Sequence, residues 1–136
     1  MQHLGLMLLD AASALKREFE HVARPHGLTL LQWRVLAELC KQDALTQTEL
    51  GHRLDTQPMS ISSVVERLEG AGLLTRRADT VDSRAKIVEI TDTARALMAR
   101  MRAVADDVYA RAFTGIDAQD SAATKRALRQ IAANLG

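Results

Sequence analysis

With 136 residues, 47% of them hydrophobic and 26% charged, the chain can bury one core and asks for no second domain. A formal net charge of +1 removes any composition-level pull toward nucleic acid or an acidic partner, so a basic surface must be local. Cys40, the single cysteine, excludes an internal disulfide; no signal-peptide pattern opens the chain and the apolar run from Leu4 to Leu9 cannot span a bilayer, so a cytoplasmic protein with no membrane partner is expected.

Only two prolines, Pro25 and Pro58, interrupt the chain, which leaves room for long helices. From Leu4 the apolar residues Leu8, Ala11, Ala12, Leu15, Phe19 and Val22 recur at three- and four-residue steps and predict a long first helix. Pro25, His26 and Gly27 stop it. Thr29 with Gln32 has capping-box spacing and opens a second helix that turns Leu30, Trp33, Val35, Leu36, Leu39 and Cys40 inward. A second such pair, Thr46 with Glu49, opens a short third helix containing Leu50 and Leu54.

Pro58 suits the first turn of a fourth helix, since its missing N–H would find no partner there in any case. Ile61, Val64, Val65 and Leu68 face inward from it, and Gly70 and Gly72 are read as left-handed terminators. Leu73 to Ala78 and Lys86 to Ile90 suit extended chain and bracket a polar stretch from Asp79 to Arg84, which predicts a β-hairpin with a long tip. Thr91 caps a fifth helix carrying Ala94, Leu97, Met98, Met101, Val104, Ala105, Val108 and Ala112. Gly115 interrupts, and Asp117 caps a last helix marked by Leu128, Ile131, Ala132 and Leu135.

Two short helices joined by a turn and followed by a hairpin are the order of a winged helix-turn-helix, which offers its second helix to the DNA major groove. The recognition helix is then the one beginning at Pro58, with Gln57, Ser60, Ser62 and Ser63 as candidate contacts to bases and phosphates. Serines early in a helix are also ordinary caps and solvated positions. Charge adds what they cannot: Arg76, Arg77, Arg84 and Lys86 gather in the hairpin, and an arginine at its tip can enter the narrow minor groove. From Thr46 to Ile90 the balance is nonetheless even, with six basic residues against seven acidic ones. The reading therefore depends on where the charges point.

Arg76, then Asp82-Ser83-Arg84-Ala85, then Val88 and Ile90-Thr91, resemble the wing of MarR-type transcriptional regulators. Leu30 to Leu39, Leu45-Thr46-Gln47 with Glu49-Leu50, and Val65-Glu66-Arg67-Leu68-Glu69 with Gly72-Leu73 are similar to that family as well, over roughly residues 28 to 98. The resemblance implies a mainly α fold with a small β-hairpin wing, a winged helix-turn-helix flanked by long N- and C-terminal dimerisation helices. It implies a single domain over 1–136, with dimerisation helices at 1–27 and 92–136 and a DNA-binding lobe at 28–91. By the same resemblance Arg84 probes the minor groove, Asp82 holds it, and Arg76 sits at the base of the wing. The chain departs from the family pattern at Ser63, where many relatives carry a basic residue: either base contacts are fewer here, or another residue, Arg67 or Gln57, supplies them.

The resemblance further implies a sequence-specific DNA-binding repressor that acts as a homodimer, with Leu4, Leu8, Leu15, Ile131 and Leu135 packed across a twofold axis on a pseudo-palindromic operator. It also implies release by a small aromatic or anionic effector. Aromatic residues are 3% of the chain, so a flat-ring pocket draws on Phe19, Trp33, Tyr109 and Phe113, with Met7, His3, Arg34 or His21 as neighbours. Those aromatics equally suit plain core. Cys40, beside Leu39, reads as a small buried hydrophobe, with Lys41 next door as the feature favouring reactivity. His3, His21, His26 and His52 form no pair at i, i+4 spacing, so no metal and no cofactor is expected. Neither a glycine-rich phosphate loop nor a recognisable nucleophile context argues for an enzyme. The competing use of such a scaffold is protein–protein contact without DNA, for which Arg76, Asp82 and Arg84 have no evident use.

Overall fold

The computed structural model describes residues 2–136. In chain order it contains α1 (Gln2–Ala23), a 3-10 turn (Arg24–His26), α2 (Leu30–Gln42), β1 (Ala44–Thr46), α3 (Gln47–Leu54), α4 (Pro58–Gly70), β2 (Leu74–Ala78), β3 (Lys86–Ile90), α5 (Asp92–Ala112) and α6 (Ala118–Leu135). The short-range signals act where they were read. Thr29 Oγ1 accepts the Gln32 N–H at 3.1 Å while Gln32 Oε1 accepts the Thr29 N–H at 3.0 Å, a complete capping box. Thr91 and Asp117 likewise accept the N–H three residues on, from Ala94 and Asp120.

At α3 the pair behaves differently from expectation. Thr46 Oγ1 accepts the Glu49 N–H at 3.1 Å, but the Glu49 carboxylate takes a hydrogen bond from the Thr46 hydroxyl in place of the backbone N–H. Thr46 also ends β1, a strand that the sequence reading omitted. Ala44, Leu45 and Thr46 pair antiparallel with Glu89, Val88 and Ile87, making the wing a three-stranded sheet in the order β1-β3-β2.

The end of α4 also corrects the reading. Gly70 is the last helical residue, and Gly72 alone is left-handed, at φ 76°. The Gly72 N–H donates to Glu69 O at 3.0 Å and the Leu73 N–H to Leu68 O at 2.9 Å, the two bonds of a Schellman motif. That turn aims the chain into β2, which pairs with β3 from Leu74 opposite Ile90 to Ala78 opposite Lys86.

One core joins these elements. Leu36 and Leu39 of α2, Leu50 of α3, Ile61, Val65 and Leu68 of α4, Leu74 and Val88 of the sheet, and Ala94 and Met101 of α5 are all buried in it. Leu30 and Cys40, expected inside, are half-buried at its margin. The terminal helices behave otherwise. Every residue from Tyr109 onward is exposed, and so are Leu4, Leu6, Met7 and Leu9 at the start of α1. The predicted apolar stripes of α1 and α6 therefore exist, but within one chain no residue of α6 is buried. No helix among the described residues is long and apolar enough to cross a membrane.

Candidate nucleic-acid interface

Because Ile61, Val65 and Leu68 are buried, the helical repeat fixes which residues of α4 turn outward. Gln57, Ser60, Ser62, Ser63 and Arg67 are all exposed. Ser63 lies on the line opposite the core, with Ser60 and Arg67 on one flank and Ser62 on the other. The Gln57 side chain makes no capping bond, although Gln57 is the N-cap residue, so its amide is left for other partners. Met59 shares the outward line with Ser63 and is 86% exposed. The sequence reading did not single out Met59, although its phase against Ile61, Val65 and Leu68 was the available signal.

α4 is held at a fixed height above α3 by a tight turn. A Cβ at Gly51 would stand 3.2 Å from Thr56 O, a tight contact, so glycine lets the turn approach α3 without displacing the Thr56 carbonyl. Asp55 in that turn is itself left-handed, at φ 48°.

The wing divides its cations between structure and solvent. Arg76 donates through Nε and Nη2 to Glu69 Oε1 at 3.2 and 2.9 Å and through Nη1 to Gln47 Oε1 at 3.5 Å. Expected among the DNA contacts, its guanidinium is committed to tying β2 to α4 and α3. The bond from Arg76 holds the Glu69 carboxyl below its ordinary range, and the same bond raises Arg76. Arg77 pairs with Glu89 across the sheet at 2.7 Å. Arg84 and Lys86 are exposed and enter no ion pair among the described residues. Asp82 does hold Arg84, though through the backbone: Asp82 Oδ1 accepts the Arg84 N–H at 3.0 Å. Together with Asp79 Oδ1 on the Val81 N–H at 3.1 Å, this shapes the tip and leaves the Arg84 guanidinium free.

Behind α3 a cavity of about 690 Å³ opens between α1, α2 and α5, lined mainly by apolar side chains including Leu15, Leu30, Leu54 and Ala105. Phe19, Trp33, Arg34 and Tyr109 line it as expected, with Lys16 as a second cation. Phe19 meets both Trp33 and Tyr109 edge-on with centroids 5.3 Å apart, and Tyr109 stacks on Phe113, so all four aromatics of the chain form one cluster. Met7, His3 and His21 lie outside the cavity wall. Asp55 and Thr56 complete the lining, which brings the wall to the residues just before α4. On the other side of α2, burial raises the Cys40 thiol above its ordinary value, the more distant Arg95 and Arg102 opposing it only in part.

The MarR family model matches residues 28–86, the span from the buried Leu28 to the start of β3. Over that span, the chain is similar to the MarR family. Its similarity to one member, the HTH-type transcriptional repressor Rv2887 of Mycobacterium tuberculosis, is 29% identity over 94% of this chain and 92% of the relative. Among solved structures, a MarR-family transcriptional regulator from Rhodococcus sp. RHA1 superposes with a TM-score of 0.88 at 25% identity, covering 96% of this chain and 93% of that one. Bordetella bronchiseptica BpsR, whose DNA binding is regulated by 6-hydroxynicotinic acid, superposes with a TM-score of 0.85 at 26% identity, covering 94% and 91%. MarR-family members are DNA-binding transcription regulators, and this chain falls in that class.

Proposed function

We propose that this protein is a homodimeric repressor that binds a pseudo-palindromic operator and releases it when a small aromatic anion fills the cavity. The observation that carries the DNA reading is Arg84, exposed and unpaired at the tip of a wing whose other arginines are held by Glu69 and Glu89. On this reading Arg84 enters the minor groove, Gln57, Ser60, Ser62, Ser63 and Arg67 face the major groove, and Arg76 positions the wing.

Residues 1–27 and 92–136 supply the dimer contact and 28–91 the DNA-binding lobe. In support, ten of the twelve exposed large hydrophobics among the described residues lie on α1, on α6 or between Tyr109 and Ile116. A second copy of the chain would cover what α6 cannot. A twofold dimer would then meet half-sites about one helical turn apart. The cavity suits a flat anion because Arg34 and Lys16 border an aromatic wall. Its contact with Asp55 and Thr56 gives a ligand a direct route to the start of α4, and the BpsR relative offers a precedent for such control.

The decisive measurement is duplex binding by the wild type and Arg84→Ala across a salt series. Removing one cationic contact per protomer lowers the slope of log K against log salt by ~0.9 per protomer. Equal affinity and slope for the two proteins would refute the role given to Arg84.

A further inference from the structure

The exposed large hydrophobics divide sharply by place. Apart from the ten on the terminal segments, only Met59 and Val81 remain among the described residues, one in the first turn of α4 and the other at the tip of the wing. Neither belongs to the apolar surface offered to a second copy. Met59 occupies the second position of α4, after Pro58, and projects along the outward line that continues through Ser63. Glu66 follows two turns further from the end that a recognition helix inserts deepest.

A large thioether that is 86% exposed, beside serines and on the face expected to meet bases, gains nothing from the fold. The major groove offers one apolar group on its base edges, the C5-methyl of thymine. We infer that Met59 reads a thymine methyl in each half-site and supplies part of the specificity that Ser63, lacking a cation, does not. A flexible, polarisable side chain suits this contact, because it can follow a methyl group whose position varies with local DNA shape. The inference rests on α4 being the DNA-reading helix.

The test uses operator fragments selected from genomic DNA by the full-length wild-type protein. Each thymine of a half-site is replaced in turn by deoxyuridine, which pairs identically but lacks the methyl. Loss of one methyl contact weakens wild-type binding by roughly 4-fold per half-site. Met59→Ala should bind the unmodified operator more weakly by a similar factor and be indifferent to deoxyuridine at that position, while remaining sensitive to base changes elsewhere. Met59→Gln, a polar residue of similar length, serves as a second variant and should also lose the methyl response; unchanged melting temperatures would show both variants folded. A wild type indifferent to every deoxyuridine substitution, or variants that keep its methyl response, would overturn the inference while leaving DNA binding intact. If the wild type selects no duplex at all, the DNA reading itself falls and this inference with it.

Discussion

The Arg76–Glu69 pair separates two accounts of the wing that differ in sign. If Arg76 contacts phosphate, Glu69 competes with the DNA for its guanidinium; if Arg76 is a brace, Glu69 is the other half of it. Glu69→Gln removes the carboxylate charge while keeping size and an amide oxygen, so it distinguishes the two. A freed Arg76 reaching phosphate would steepen the salt slope by ~0.9 per protomer, or ~1.8 per dimer. That slope change corresponds to roughly 12-fold in relative affinity between 50 and 200 mM salt. The observed geometry, with two bonds from Arg76 to Glu69 Oε1 and a third to Gln47, predicts the opposite: an unchanged slope and weaker binding at every salt concentration. Fluorescence anisotropy on a labelled operator reads both quantities, and tighter binding with a steeper slope would refute the brace. Acid should act like the substitution. Glu69 is lowered below 4.5, so its contribution to stability is present above that value and lost as pH falls through the lower folded-state value.

Three further outcomes follow from the terminal helices, the cavity and the thiol. Ile131→Asp should shift the dimer toward monomer in sedimentation, by about 150-fold if each of two copies loses ~1.5 kcal/mol of apolar burial, while the helical circular dichroism of the winged lobe persists; an intact dimer at micromolar concentration would remove α6 from the interface. Benzoate, an aromatic carboxylate, should quench the single tryptophan, Trp33, and Arg34→Ala should weaken that response by roughly 10-fold or more; an identical titration would show that the cation does not bind the anion. Because desolvation holds the Cys40 thiol above its usual 9.0, alkylation by iodoacetamide at pH 8 should run slower than for a free thiol, and an equal or faster rate would contradict that environment.

The helices were legible in the sequence because their signals are local. Thr29, Thr91 and Asp117 satisfy N–H groups three residues away, and their side chains can do so whatever the rest of the chain does. β1 was not legible. Three residues cannot display an alternating pattern, and what makes them a strand is β3, more than forty positions later in sequence on the order given by the register of Leu45 with Val88.

The site was legible in its residues but less so in their roles. Arg76, Asp82 and Arg84 were singled out together, and the structure gives the three different jobs: one is a buried-edge tie, one shapes a turn through a backbone N–H, and only the third keeps a free guanidinium. Residue type and spacing cannot distinguish these, because the deciding partners, Glu69 and Gln47, come from other elements. Two of the lobe's acidic residues have a structural use that leaves its tip cation free. Acidic Glu69 and Glu89 are spent on Arg76 and Arg77, fixing the hairpin that carries Arg84 rather than neutralising it. A winged lobe can therefore present free cationic groups, here Arg84 and Lys86, without a cationic composition, where part of its acidic charge is held in ion pairs with other arginines.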